Sequence, residues 1–217
     1  MISILIPIYN GIEYINESVM SILCQNYDKW ELIIGINGHP PDSDCLHIAK
    51  TYEPLNSNIT VIDLQNCVGK SNALNEMVKY CKYEWISILD VDDIWLPTKL
   101  ESQIPFTDAY DVIGTKCTYF GDKTGSPYIP FGDITAFNFT TTNPIINSSC
   151  LVKKHLCYWS NEPNVVEDYD LWLRLWKAGH RFYNVQDVQV LHRIHKSSAF
   201  NSRGNDKLAK QLVAKYT

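Results

Sequence analysis

Residues 84–93 read Glu-Trp-Ile-Ser-Ile-Leu-Asp-Val-Asp-Asp. The apolar part, Trp85 to Leu89, is too short for a helix and suits a strand buried on both faces. At its end the strand delivers three carboxylates, Asp90, Asp92 and Asp93, to one point. Like charges this close cost free energy unless something cationic sits among them. A hard divalent ion, Mg²⁺ or Mn²⁺, meets that need, because it takes carboxylate oxygens and accepts phosphate as a further ligand. The plainer reading is a helix cap, an acid ahead of a helix beginning near Ile94. A cap uses one carboxylate, and here there are three.

Upstream of this run, strand and helix alternate. Ile2 to Ile8 is an isoleucine-rich strand carrying Pro7. Residues 12–26 set Ile12, Ile15, Val19, Ile22 and Leu23 on one helical face. Glu31 to Ile36 is strand-like and runs into the turn cluster Asn37-Gly38-His39-Pro40-Pro41. Asp42 to Glu53 suits a short helix and Ile59 to Leu64 a third strand. Ser71 to Cys81 suits a helix with Leu74, Met77, Val78 and Cys81 inward. Strands separated by about 10–15 residues of helix imply right-handed βαβ units and a parallel sheet. Ligands in such sheets bind beyond the carboxyl ends of the strands. Tyr9-Asn10, the 37–41 loop, the 65–70 loop and the 90–93 acids therefore share one rim.

The second half is less regular. Strand-like pieces (Val112 to Phe120, Cys150 to Lys153, Val188 to Ile194) surround a Thr/Asn/Pro-rich stretch from 121 to 147. Asp168 to Ala178 is a clear helix, with Gly179 as the residue that ends it, and Asn205 to Tyr216 reads as a terminal helix. The expectation is one α/β domain over 1–217, free-standing or one module of a longer protein. Its irregular α+β half closes over a cleft built by the first hundred residues.

Composition excludes some functions. The chain has 217 residues, 45% hydrophobic and 20% charged, with 19 basic and 24 acidic residues for a net charge of −5. No basic block supplies the electrostatic footprint of a nucleic-acid binder. Seven cysteines, at 24, 45, 67, 81, 117, 150 and 157, form no CxxC pair and are odd in number. Neither a zinc site nor a disulfide framework is indicated, and reduced core thiols fit. The N-terminus lacks a basic region and reads as a strand rather than a signal peptide. No stretch approaches the ~20 apolar residues a membrane span needs, so a cytoplasmic location is expected. The four Asn-x-Ser/Thr sequons, at Asn16, Asn58, Asn138 and Asn147, are read as chance in an Asn-rich chain.

Five motifs in order resemble the family 2 glycosyltransferases, an inverting family with the GT-A fold. The first is Ile6-Pro7-Ile8-Tyr9-Asn10 with Glu13, and the second Asn66 to Asn75. The third is the Asp-x-Asp of Leu89-Asp90-Val91-Asp92-Asp93. Glu167-Asp168-Tyr169-Asp170-Leu171-Trp172 follows, then Arg193-Ile194-His195-Lys196-Ser197-Ser198. The resemblance covers about residues 1 to 200 and implies a GT-A, Rossmann-like, mostly parallel sheet flanked by helices. Residues 1–100 would bind a nucleotide sugar and 101–217 an acceptor. The chain departs from the pattern after the second strand. The family's Asp-Asp-Gly-Ser is replaced by Ile36-Asn37-Gly38-His39, which keeps a hydrogen-bonding side chain but not the charge. UDP is the family default, with GDP and dTDP as alternatives.

The resemblance implies roles that chemistry supports. A sugar leaving a nucleoside diphosphate needs charge stabilised on the diphosphate, by Mn²⁺ or Mg²⁺ held by Asp92, with Asp90 at the ribose or metal. His195 resembles a further metal ligand or phosphate contact; alone it reads as a backbone-bonded histidine at a strand end. Lys70, near a helix start, could meet the diphosphate or simply be solvated. Pro7, Tyr9, Asn10, Glu13, Asn37 and Arg193 are the other expected nucleotide-sugar contacts. Asp168 is the expected base and Glu167 its helper, against the plainer reading of a capping acid and with Asp170 as local competitor. His192 is left out, because it points to the other strand face. The acceptor would be a glycan, a lipid-linked sugar or a protein. The alternatives are a sugar-phosphate nucleotidyltransferase, which would want a Gly-rich basic loop where Pro7-Ile8-Tyr9-Asn10-Gly11 stands, and a non-catalytic sugar-nucleotide-binding domain.

Overall fold

The computed structural model describes residues 1–163, 165–196 and 205–217. Its first half is a parallel sheet of β1 (Ile2–Ile8), β2 (Trp30–Asn37), β3 (Ile59–Leu64) and β4 (Trp85–Ile88), ordered β3-β2-β1-β4. Strand alternation divides β1 between two cores. Ile2, Ile4, Ile6 and Ile8 join Ile15, Val19 and Ile22 of α1 (Ile15–Leu23) on one face. Leu5 faces Ala73, Leu74 and Met77 of α3 (Lys70–Met77) on the other. The third helix of this half, α2 (Asp44–Lys50), starts at Ser43, whose side chain accepts from the Leu46 amide. Gly35 lets α3 approach the sheet, since a Cβ there would lie 2.7 Å from Met77 Sδ.

The sheet continues beyond β4 through β8 (Leu151–Lys153), β6 (Val112–Gly121), β9 (Phe182–Ile194) and β5 (Ile94–Trp95), while β7 (Gly132–Asp133) pairs with β9. The longest ladders are parallel, as expected; β8, β5 and β7 run antiparallel to their neighbours. α4 (Lys99–Gln103) follows β5, and α5 (Glu167–Lys177) covers the second core with Leu171, Trp172 and Leu175. α5 ends as its sequence indicates. Gly179 has φ +83°, its amide bonds Trp176 O, and the His180 amide bonds Leu175 O, the paired bonds of a glycine-terminated helix. α6 (Asn205–Val213) packs on α5. Among the described residues, no helix is long and apolar enough to cross a membrane.

Two expectations change. No helix begins at Ile94: Ile94 and Trp95 pair with Leu191 and Val190 of β9, so the helix-cap reading of the acids falls. β9 begins at Phe182 rather than Val188; its apolar pattern is interrupted by the exposed Gln186-Asp187 pair, which bulges out of β9 between the residues paired with Thr115 and Lys116 of β6. The 121–147 segment has no α-helix among its residues but is tied down. Buried Asn184 Nδ2 donates to Pro130 O and Pro144 O, both at 2.8 Å, and Tyr169 Oη donates to Phe139 O at 2.6 Å.

Candidate active site

Parallel pairing brings the ends of β1, β2 and β4 to one edge of the sheet, and the loops beyond them touch. The rings of Tyr9 and His39 lie 5.4 Å apart, and His39 Nε2 is hydrogen-bonded to Tyr9 O. Asn37, 2% exposed, bonds Cys67 O at 3.4 Å. Pro7 is half-buried, while Tyr9, Asn10 and Glu13 are exposed at the rim.

From the loop after β3, Lys70 opens α3 behind Gly69, whose φ of +87° favours glycine. Lys70 Nζ lies 2.5 Å from Asp90 Oδ1 and 3.6 Å from Glu167 Oε1. Burial opposes its charge, yet Asp90 and Glu167 outweigh that and raise its pKa. Burial likewise opposes ionisation of Asp90, but Lys70 and Asn147 hold its pKa below the usual carboxylate value. Asn147 Nδ2 reaches both Asp90 oxygens at 3.1 Å.

The three acids do not act alike. A turn closed by the Asp93 amide on Asp90 O separates them. Asp93 is fully buried and accepts from Ser148 Oγ (2.5 Å) and the Arg193 amide (2.8 Å), with His192 Nδ1 2.9 Å away. It is a structural anchor between β5 and β9, not a third carboxylate in the opening. Asp92 faces His195, Oδ2 to Nε2 at 3.0 Å. Burial, then Asp93 and Asp90, raise the Asp92 pKa despite His195. That excess negative charge is what a cation would relieve. No group of three His, Cys, Asp or Glu side chains among the described residues could hold a metal ion. The chain fits an ion that takes one carboxylate and one imidazole from Asp92 and His195 and its other ligands from phosphate and water. Arg193 donates to Asp92 O at 2.8 Å and pairs with Glu17, its guanidinium near Tyr14 and Phe120. Ser197 and Ser198 lie outside the described residues.

A cleft of about 940 Å³ reaches from Lys70 and Asp90 past Asp168 to Tyr128 and α6; Asp92, Arg193 and His195 are not among the residues that line it. At its centre Asp168 Oδ2 accepts from Asn143 Nδ2 at 3.1 Å. Burial, and then the neighbouring Glu167, push the Asp168 carboxyl up to about 6, against Lys70 and Asn143. Asp170, its sequence competitor, is buried away from the cleft and pairs with Arg174 at 2.8 Å.

Sequence reasoning missed three residues here. His192, set aside for its strand face, lines the cleft because that face is the cleft floor. No signal in the sequence marked it, because the burial of Asp93, which demands a partner, emerges only in the fold. Asn147 and Asn143 sit in the irregular segment, where no periodicity marks them; Asn147 was read as part of a chance sequon.

The fold matches solved GT-A glycosyltransferases. S. aureus TarS 1–349, in complex with UDP-GlcNAc, superposes with a TM-score of 0.78 at 21% identity, covering 99% of this chain and 66% of that one, just under two thirds. The fold class is therefore GT-A.

More narrowly, the chain belongs to glycosyl transferase family 2, whose family model matches residues 3–157. Among its relatives, the Escherichia coli O-antigen biosynthesis glycosyltransferase WbnJ is 30% identical over 224 residues, 93% of this chain and 83% of WbnJ. The E. coli UDP-Glc:α-D-GlcNAc-diphosphoundecaprenol β-1,3-glucosyltransferase WfaP is 27% identical over 225 residues, 99% of this chain and 86% of WfaP.

Proposed function

We propose that the protein moves a sugar from a UDP-sugar to a hydroxyl of a glycan acceptor with inversion, Asp168 serving as base and a divalent ion assisting. The carrying observation is the cluster of Lys70, Asp90, Glu167 and Asp168 around one cleft, with Asp168 held at a pKa of about 6. A carboxyl near that value is ionised at neutral pH yet basic enough to accept a proton in the transition state.

The acceptor oxygen attacks the anomeric carbon as its proton passes to Asp168. The bond from that carbon to the diphosphate oxygen breaks, and the diphosphate departs with the electron pair. Lys70 carries positive charge toward the departing diphosphate, and Asp90 fixes the ammonium. Glu167 keeps Asp168 basic and aligns the acceptor. Pro7, Tyr9, Asn10, Glu13 and Asn37 border the nucleoside, and Arg193 braces the Asp92 backbone beside it. Asp92 and His195 would hold Mn²⁺ or Mg²⁺, with Asp90 close by. Such an ion, when bound, neutralises charge developing on the diphosphate. Tyr128, 75% exposed at the cleft mouth, offers an aromatic face to an acceptor sugar. WfaP, by its name, takes UDP-Glc and a diphosphoundecaprenol-linked GlcNAc, which favours a lipid-linked glycan here over a protein.

The test is release of nucleoside diphosphate from a panel of UDP-, GDP- and dTDP-sugars, with Mn²⁺ and with EDTA. Turnover should be greatest with a UDP-sugar and stop in EDTA. Asp168→Asn should bind UDP as before and lose roughly 10²–10⁴-fold in transfer to a GlcNAc-diphospholipid; full activity would remove Asp168 from the mechanism.

A further inference from the structure

Asn143 reaches Asp168 from the irregular stretch between β7 and β8, and three features make that contact a built one. The amide cannot be flipped without loss: Asn143 Oδ1 accepts from the Ile145 amide at 3.3 Å, which leaves Nδ2 as the group facing Asp168 Oδ2 at 3.1 Å. The next residue is pinned, since Pro144 O accepts from fully buried Asn184. Ile145 is fully buried in the second core. The strand, the loop and the carboxylate therefore form one chain of contacts, β9 to Pro144 to Asn143 to Asp168.

We propose that Asn143 is a positioning residue for the transfer reaction: its amide fixes Asp168 Oδ2, so that the other oxygen is presented to the acceptor hydroxyl. This rests on the reading of Asp168 as base. The donor also stabilises the ionised carboxylate, keeping the base available at neutral pH although burial and Glu167 work against it. The other charged groups facing the cleft are Lys70 on α3, Asp90 after β4, His192 on β9, and Asp206 and Lys210 on α6. Of these, Lys70 lowers the Asp168 pKa together with Asn143.

Two variants separate positioning from plain loop structure. Asn143→Ala removes both bonds. Asn143→Asp keeps an oxygen for the Ile145 amide but turns the other partner of Asp168 into a carboxylate. The readouts are the pH dependence of kcat/KM for acceptor transfer, UDP affinity and the thermal midpoint. Losing a charge-assisted bond should lower kcat by roughly tenfold in Asn143→Ala and move the acidic limb to higher pH. Asn143→Asp should move the limb further still, with UDP affinity unchanged in both. Should the limb stay in place in Asn143→Asp, or that variant match the wild type, the inference is overturned even if Asn143→Ala fails to fold. Asp168→Asn, run alongside, isolates the underlying reading: if it retains transfer, the base assignment fails and the role of Asn143 fails with it, whereas an inactive Asp168→Asn beside an unmoved limb removes Asn143 alone.

Discussion

Among the described residues, Lys99 is the most heavily buried cation outside the cleft. It is wholly enclosed, with Nζ 2.9 Å from Ser87 Oγ, 3.0 Å from Gln103 Oε1 and 3.8 Å from the centre of the Trp95 ring. No carboxylate pairs with it in these contacts, and burial brings its pKa down to about 7 from 10.5. Above that value the folded chain leaves Lys99 neutral while the unfolded chain still protonates it. Stability is thus gained as pH rises from about 7 and lost as pH falls back through it, by at most about 1.4 kcal/mol per unit. His192 opposes this slope at the lower end of the window, because burial works against its charge but the neighbouring Asp93 raises its pKa. The comparison of wild type with Lys99→Met therefore isolates Lys99, and the window ends near pH 8.5. Beyond it the thiols of Cys81, Cys117 and Cys150, which burial pushes up to about 12, ionise in the unfolded chain first and reverse the slope. Denaturant midpoints across that window should climb in the wild type and flatten in Lys99→Met. At this scale the sequence was informative where a residue type had one chemical use. Asp92, His195, Lys70 and Asp168 were named from motif order; Asp92 and His195 face each other at 3.0 Å, while Lys70 and Asp168 line the cleft. It was silent on Lys99, because a lysine four residues before Gln103 looks like any exposed helical charge.

Among the elements, β6 and β9 show how much rests on a missing side chain. A Cβ on Gly114 would stand 2.1 Å from Asn184 Oδ1 and 3.0 Å from Ile145 Cδ1. Asn184 cannot retreat without releasing both proline carbonyls of the 121–147 segment. Gly114→Ala should therefore destabilise by roughly 1–3 kcal/mol, read from the denaturant midpoint. It should also lower transfer, because the loosened segment carries Asn143, which bonds Asp168, and Asn147, which bonds Asp90. Elements with strong periodicity were legible beforehand: β1 from its isoleucines, α5 from Trp172, Leu175 and Gly179. The long β9 was read only from Val188, since polar Gln186 and Asp187 fall mid-strand where a register shift lets them face water. The 121–147 segment offered no pattern, because its order comes from Asn184 and Tyr169, which lie far away in sequence.

Across the whole molecule the first and second halves are not separable bodies. β4 is flanked by β1 on one side and β8 on the other, and β5 joins β9 at the far edge. A fragment of residues 1–103 would expose the β4 edge and strip the second core of Trp172, Phe182 and Leu173. It should fail to fold, whereas the full chain should unfold in one transition, with far-UV circular dichroism and tryptophan fluorescence changing together. Two separated transitions in the full chain would show the halves to be independent.

The two-residue strand β5 has a mechanical meaning out of proportion to its length. Its pairing with β9 places Asp92 just ahead of one strand and His195 just beyond the other, so the gap between those side chains is set by a zipper. Anything gripping both would lock the zipper shut. Ligand occupancy should therefore be legible as slowed amide exchange at Leu96, whose amide donates to Gln189 O at 2.9 Å, before a single sugar has moved.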